Sequence, residues 1–193
     1  MSSVDNALIA IERACGSGSV IRDPSLLEGY AQDESEVAPC MPEAVVRASS
    51  TADVSAVMKA AYEHEVPVIP RGGGTGRVGG AVPVPGSIVL AFEKMNAIQG
   101  IDKAELTTTV QPGLITGELK RITEDEQLFY PPDPTSRDSC AIGGNLAANA
   151  GGPRAFKYGV TREYVMGMDV VMADGTILKL GRETKKGVTG YDL

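Results

Sequence analysis

Histidine, cysteine, long apolar runs and basic clusters are all scarce in this chain, and each scarcity removes a class of function. Its 193 residues include one histidine and three cysteines. Cys15, Cys40 and Cys140 are odd in number, widely spaced and without a C-x-x-C pair, which argues against a disulfide framework and against a zinc site. The longest apolar runs, such as Ile88 to Phe92, are a few residues, far short of the ~18 that span a bilayer, so no membrane span is expected. Lys and Arg number 18 against 25 Asp and Glu, a net charge of −7 with no basic cluster, so nucleic acid is not an expected partner. No fixed-period repeat is present, which excludes a solenoid. The opening MSSVDNALIAIERACGSG has no basic segment and carries Asp5 and Glu12, unlike a secretory signal, so the expected location is cytoplasmic.

What is present suits an ordinary globular chain with a core of its own: 42% hydrophobic and 22% charged residues, with 23 glycines and 12 prolines. Leu8, Ile11 and Cys15 predict an amphipathic helix over residues 5–15 that Asp5 is placed to cap. An irregular acidic stretch follows. Ala44 to Ala48 reads as a strand, Thr51 as the N-cap of a helix presenting Val54, Val57, Met58 and Ala61 on one face, and Val66 to Ile69 as a second strand. Strand, helix and strand predict a βαβ unit crossing right-handed to a parallel neighbour. Further strands are expected at 87–92 and 106–113, and a helix over Thr116 to Gln127 with Leu119 and Ile122 inward. Residues 164–181 alternate about Asp174-Gly175, a hairpin signal. The fold class is mixed α and β.

Two tracts stand out. The first, PRGGGTGRVGG from Pro70 to Gly80, packs six glycines into the nine residues after Arg71. Gly74 to Gly79 satisfies G-x-G-x-x-G behind a strand, but GAVPVPGS follows, with two prolines and two glycines where a Rossmann site needs a helix. A Walker A loop fails too, because Gly80 stands where lysine is required. What survives is the common physics. Consecutive glycines admit positive φ and aim several N–H groups into one concavity, a nest for an anion. A glycine-rich surface loop with no ligand is the competing reading.

The second tract is YPPDPTSRDSCAIGGNLAANAGGPRAFKYGVTREY, residues 130–164. Pro131, Pro132 and Pro134 fix a turn, Asp133, Thr135 and Ser136 offer polar contacts, and paired glycines permit close backbone approach. With Ser139 to Asn149 helical, Asn145 and Asn149 at i, i+4 present both amides on one face to a heterocycle or ribityl chain. The same polar residues serve equally well as caps in a convoluted connection.

Taken together, VPVIPRGGGTGRVGGAVP, the second tract, the ADG hairpin and the closing KKGVTGYDL closely resemble the FAD-linked oxidases of the vanillyl-alcohol oxidase/PCMH superfamily. Within it the nearest likeness is to glycolate oxidase FAD subunits and D-lactate dehydrogenases. It runs from about Tyr30 to Leu193. The resemblance implies an α+β, PCMH-type FAD-binding domain: two α/β subdomains with FAD between them, the first over residues 1–84 and the second, incomplete, over 85–193. Arg71, Gly72, Gly73, Gly74, Thr75, Gly76, Gly79 and Gly80 then match the pyrophosphate loop. Asp133, Thr135, Ser136, Gly143, Gly144, Asn145, Asn149, Gly151, Tyr158 and Gly159 match positions lining the flavin and its ribityl and phosphate groups.

The loop lacks the histidine that covalent members often carry there, and His64 falls on the preceding helix, so FAD is expected to be non-covalent. Arg77 replaces an apolar residue; pairing with phosphate and pointing to solvent are equally open. Relatives continue past TGYDL into a flavin-contacting segment and a cap domain holding histidines and often a divalent metal, so the chain is expected to be truncated or one part of a split enzyme. The implied reaction passes the α-hydrogen of a small 2-hydroxy acid as hydride to flavin N5, with a base taking the hydroxyl proton and a separate acceptor or iron-sulfur subunit taking the electrons. No base is assigned and no metal site is expected within these residues; Asp33, Glu34 and Glu36 read as a solvated acidic loop. An alkyl-glycerone-phosphate-synthase-like transferase and a non-catalytic flavin-binding subunit are the alternatives.

Overall fold

The structure, a computed structural model, describes residues 2–181; the closing KKGVTGYDL lies outside the described residues. In chain order its first half holds α1 (Ser3–Cys15), β1 (Val20–Ile21), α2 (Pro24–Leu27), β2 (Ala44–Arg47), α3 (Thr51–Glu63), β3 (Val68–Arg71) and β4 (Ile88–Ala91). The second holds β5 (Ile98–Asp102), β6 (Thr107–Val110), α4 (Thr116–Asp125), α5 (Ile142–Ala147), α6 (Ala155–Tyr158), β7 (Gly167–Val171) and β8 (Ile177–Gly181).

Local chemistry sets the helix starts. Ser2 caps α1, accepting from the Asp5 amide at 3.1 Å while the Asp5 carboxylate accepts from the Ser2 amide at 3.2 Å. Asp5 is therefore the third helical residue of a capping box, where sequence alone suggested the cap. At α3 the cap is Ser50, not Thr51. Ser50 is the last residue with extended backbone, and its hydroxyl accepts from the Asp53 amide at 3.1 Å. α1 and α3 lay Ala7, Leu8, Ile11, Val54, Val57, Ala60 and Ala61 on one face of a four-stranded sheet, against Ala44, Val46, Ile88 and Leu90. The opposite face, Val45, Val89 and Ala91, is covered by Leu27 with Tyr30 and Ile21.

The strand order is β1-β2-β4-β3, with β2 and β3 both parallel to β4 and β1 antiparallel to β2. The βαβ pair predicted as parallel is parallel to a shared partner, with β4 inserted between. Composition explains the insertion: all four residues of β4 are buried, as a central parallel strand requires, whereas β3 contains Pro70, which lacks an N–H and suits an edge. The expected subdomain boundary at residue 84 would separate β4 from the sheet it completes; this unit reaches Ala91.

The second half is built from hairpins and short helices. β5 pairs with β6 and β7 with β8, both antiparallel. The second hairpin docks on α3, where Ser55 Oγ donates to the Gly175 carbonyl at 2.6 Å. Gly175 has φ +87, and a Cβ there would sit 2.7 Å from the Ser55 carbonyl oxygen, so both backbone and neighbour demand glycine.

Candidate functional site

β3 ends at Arg71, and the chain enters the glycine loop, residues 72–80. Four of its glycines are required by the protein itself. A Cβ on Gly73 would collide with the Ser139 carbonyl oxygen, and one on Gly72 would press the Ala141 methyl at 3.0 Å. Gly74 has φ +67 and lies over the Arg71 guanidinium; Gly79 has φ +75, and its Cβ would stand 2.7 Å from Val37. Gly76 and Gly80 meet nothing closer than 3.9 Å. The loop therefore abuts the 139–141 turn, which brings the two tracts together.

None of the nine main-chain N–H groups from Gly72 to Gly80 has an acceptor among the described residues, whereas the next, Ala81, donates to Asp33 Oδ2 at 3.3 Å. Such a run of acceptor-free amides, with left-handed residues at Gly74 and Gly79, has the elements from which an anion nest is built. The next regular element after the loop is β4, not a helix, as the rejection of a Rossmann site requires.

Arg71 spends its side chain on the protein. Nη1 donates to the Gln32 carbonyl at 2.8 Å and to the Ala81 carbonyl at 3.4 Å, Nη2 donates to the Gly29 carbonyl at 3.2 Å, and the guanidinium lies 5.6 Å from the centre of the Tyr30 ring. Tyr30 Oη donates to Glu93 at 2.6 Å; burial, with that carboxylate as acceptor and neighbour, pushes its pKa up to about 12. Asp33 was expected to be solvated along with Glu34 and Glu36. It is half-buried and accepts from the Ser35 and Ala81 amides; burial raises its pKa, but these hydrogen bonds outweigh it and the carboxyl lies below its ordinary value.

In the second tract Pro131, Pro132 and Pro134 are buried, and Asp133 between them is 11% exposed at its side chain. Three cations converge on it: Lys120 at 3.2 Å, Arg137 at 3.1 Å and Arg154 at 3.5 Å. Burial pushes the Asp133 pKa up, but bonds from Arg137 and Lys120 hold it below its ordinary value. Lys120, itself buried, also donates to the Tyr130 and Pro132 carbonyls, each at 3.2 Å. Sequence reading missed Lys120, although Thr116, Leu119, Lys120 and Thr123 form one inward helical stripe.

α5 is fixed by the Ile142 amide on the Leu114 carbonyl and the Gly143 amide on the Pro112 carbonyl, and a Cβ at Gly143 would stand 2.7 Å from the Pro112 side chain. The expected single face for Asn145 and Asn149 is not formed. The helix ends at Ala147, so Asn145 lies inside it, buried, donating to Thr116 Oγ1 at 2.6 Å. Asn149 lies beyond it at φ +47 and accepts from the Arg162 amide at 3.0 Å. A Cβ at Gly151 would stand 3.4 Å from the side chains of Ala155 and Val160, Gly159 has φ +83 against Glu163, and the Tyr158 ring meets Phe129 edge-on at 5.5 Å.

The side-chain hydroxyls of Thr75, Thr135 and Ser136 have no protein partner among the described residues, and Gly144 is exposed with open space at its Cβ position. With the acceptor-free amides of residues 72–80, these groups remain available to a guest. Arg77 is exposed, and His64 is the residue that closes α3. Among the described residues no group of three His, Cys, Asp or Glu could hold a metal ion, and no helix is long and apolar enough to cross a membrane.

Residues 42–181 match the family model described as FAD binding domain. The chain is 47% identical over 164 residues to glycolate oxidase subunit GlcD of Bacillus subtilis (strain 168), covering 85% of this chain and 35% of that protein. It is 43% identical over 167 residues to D-lactate dehydrogenase of Anaerostipes hadrus, covering 86% and 35%. Among solved structures, an alkyldihydroxyacetonephosphate synthase superimposes with a TM-score of 0.83 at 21% identity, covering 95% of this chain and 36% of that one. p-Cresol methylhydroxylase gives 0.78 at 25% identity, covering 92% and 35%. The chain thus spans about a third of the length of these curated relatives.

Proposed function

The chain belongs to the FAD-binding-domain family, and from that premise we propose that it is the cofactor-holding part of a flavin-dependent 2-hydroxy-acid dehydrogenase or oxidase of the glycolate or D-lactate type. The observation that carries the site is the run of nine acceptor-free amides from Gly72 to Gly80 against the 139–141 turn. A pyrophosphate fits such a cradle: each charge-assisted N–H bond contributes roughly 1.5–3 kcal/mol, so several hold it without a lysine. Gly76 and Gly80 leave room for it, and Thr75, Thr135 and Ser136 have hydroxyls to offer the rest of the cofactor. Bound FAD supplies the electron-accepting ring; these residues bind and orient it. No residue within 72–80 is a histidine, cysteine or tyrosine, which supports non-covalent attachment.

The buried Asp133 network and the anchoring of α5 on Pro112 and Leu114 hold the second tract rigid beside the loop, so their role is support for contact residues. The reading includes a separate electron acceptor, an iron-sulfur subunit among the candidates. Three unpaired cysteines favour a reducing compartment such as the cytoplasm. The likeness to the alkyldihydroxyacetonephosphate synthase, at 21% identity, speaks for the fold alone. Anaerobic mixing of the complete flavoprotein carrying this domain with glycolate, D-lactate or D-2-hydroxyglutarate tests the activity. Bleaching of the flavin band by at least one of them is expected; an unchanged spectrum with all three contradicts the substrate class.

A further inference from the structure

The glycine loop is fastened at both ends to the same outside segment. Arg71, its first flanking residue, curls its guanidinium beneath Gly74 and donates to Gly29 and Gln32 on one side and to Ala81, the last flanking residue, on the other. Asp33 accepts from the Ala81 amide at 3.3 Å, so Ala81 is gripped at its N–H by Asp33 and at its C=O by Arg71, whose guanidinium is itself tied to Gly29 and Gln32. Tyr30, stacked with Arg71, is tied by its hydroxyl to Glu93 just beyond β4. Val37 of the same segment occupies the space beside Gly79.

We propose that Arg71 is a positioning residue: with Asp33 it holds residues 72–80 in their anion-ready shape before the cofactor arrives, which makes the 29–37 segment a working part of the cofactor site. This rests on the assignment of the loop to the FAD pyrophosphate. Nine amides with no protein acceptor gain no order from hydrogen bonds of their own, so an external frame must supply it. A planar guanidinium with five donors bonds several carbonyls while stacking on a ring, and lysine does neither in the same geometry. An apparent affinity falls by the fraction of molecules in the competent shape, so loss of the frame is read as weaker binding.

The test uses the full chain with Arg71→Lys, with Asp33→Ala as a surface-loop variant that leaves the core intact, and with Gly76→Ala, whose methyl crowds the open side of the loop and meets the clamp only at ordinary contact distance, 3.9 Å from Asp33 Oδ2. Amide order parameters of the loop glycines are measured without ligand, and FAD affinity is measured by titration. In the unaltered chain values near 0.85 are expected, falling toward about 0.6 in Arg71→Lys, with FAD binding weakened on the order of tenfold. Asp33→Ala moves both in the same direction by less. Unchanged order parameters with weaker FAD binding would make Arg71 a direct contact and overturn the positioning role. Unchanged FAD affinity in Arg71→Lys also overturns it. Gly76→Ala separates the two claims: weaker FAD binding there keeps the pyrophosphate assignment, and unaltered binding removes that assignment as well.

Discussion

Gly73 and Gly80 stand seven residues apart in one loop and are glycine for different reasons. At Gly73 the Ser139 carbonyl fills the position a side chain would take, while at Gly80 the nearest atom is 3.9 Å away. The first glycine records how the protein packs and the second is free to record what it binds, a distinction that composition alone conceals. Asp133 makes the same point for charge. Its three cations converge on one carboxylate that the sequence offered as a flavin contact, so its charge is held by the protein's own groups. Because its folded pKa lies below the unfolded value, its stabilisation is complete above about pH 4 and is lost as the pH falls through the folded pKa. Asp133→Asn is expected to cost about 3 kcal/mol at pH 7 by denaturant unfolding, and the gap to the unaltered protein should close below about pH 4. A gap that stays constant to pH 2 would mean the carboxylate is not held charged by this network.

The elements follow from short-range chemistry where one residue decides and from packing where it does not. Ser49, Ser50 and Thr51 are all competent caps, and the backbone selects Ser50. Ser50→Ala should lower stability by about 1 kcal/mol in urea titration, with Thr51→Ala costing distinctly less; the reverse order would return the cap to Thr51. The apolar runs of β2 and β4 and the alternation about Asp174-Gly175 were legible because each writes its own period or turn into a few residues. The two-residue β1 carries no period at all, and the exchange of neighbours between β2, β3 and β4 is a comparison among strands that no single run contains. The α5 boundary was misjudged because its end is decided by Asn149, whose left-handed backbone is fixed by a bond to residue 162. Site glycines were legible as a group; their division into packed and open ones depends on Ser139, Val37 and Arg71 arriving from three parts of the chain.

On the scale of the whole molecule, a four-stranded sheet covered on one face by α1 and α3 carries the glycine loop out of β3, while α4, the proline-fixed turn and α5 bring residues 139–141 against it. The candidate site therefore lies where these two parts meet, and among the described residues the donors it leaves free include main-chain amides and hydroxyls. That architecture suits holding and orienting a large anionic cofactor. On the proposed function, the chain cradles FAD through the loop without a covalent bond. This is tested most directly by the visible spectrum of the purified chain, after addition of FAD where needed, followed by denaturation and chromatography of what is released. A yellow protein that releases intact FAD on unfolding is expected. A protein that stays colourless with FAD in excess, or a flavin that remains attached to the unfolded chain, would contradict it.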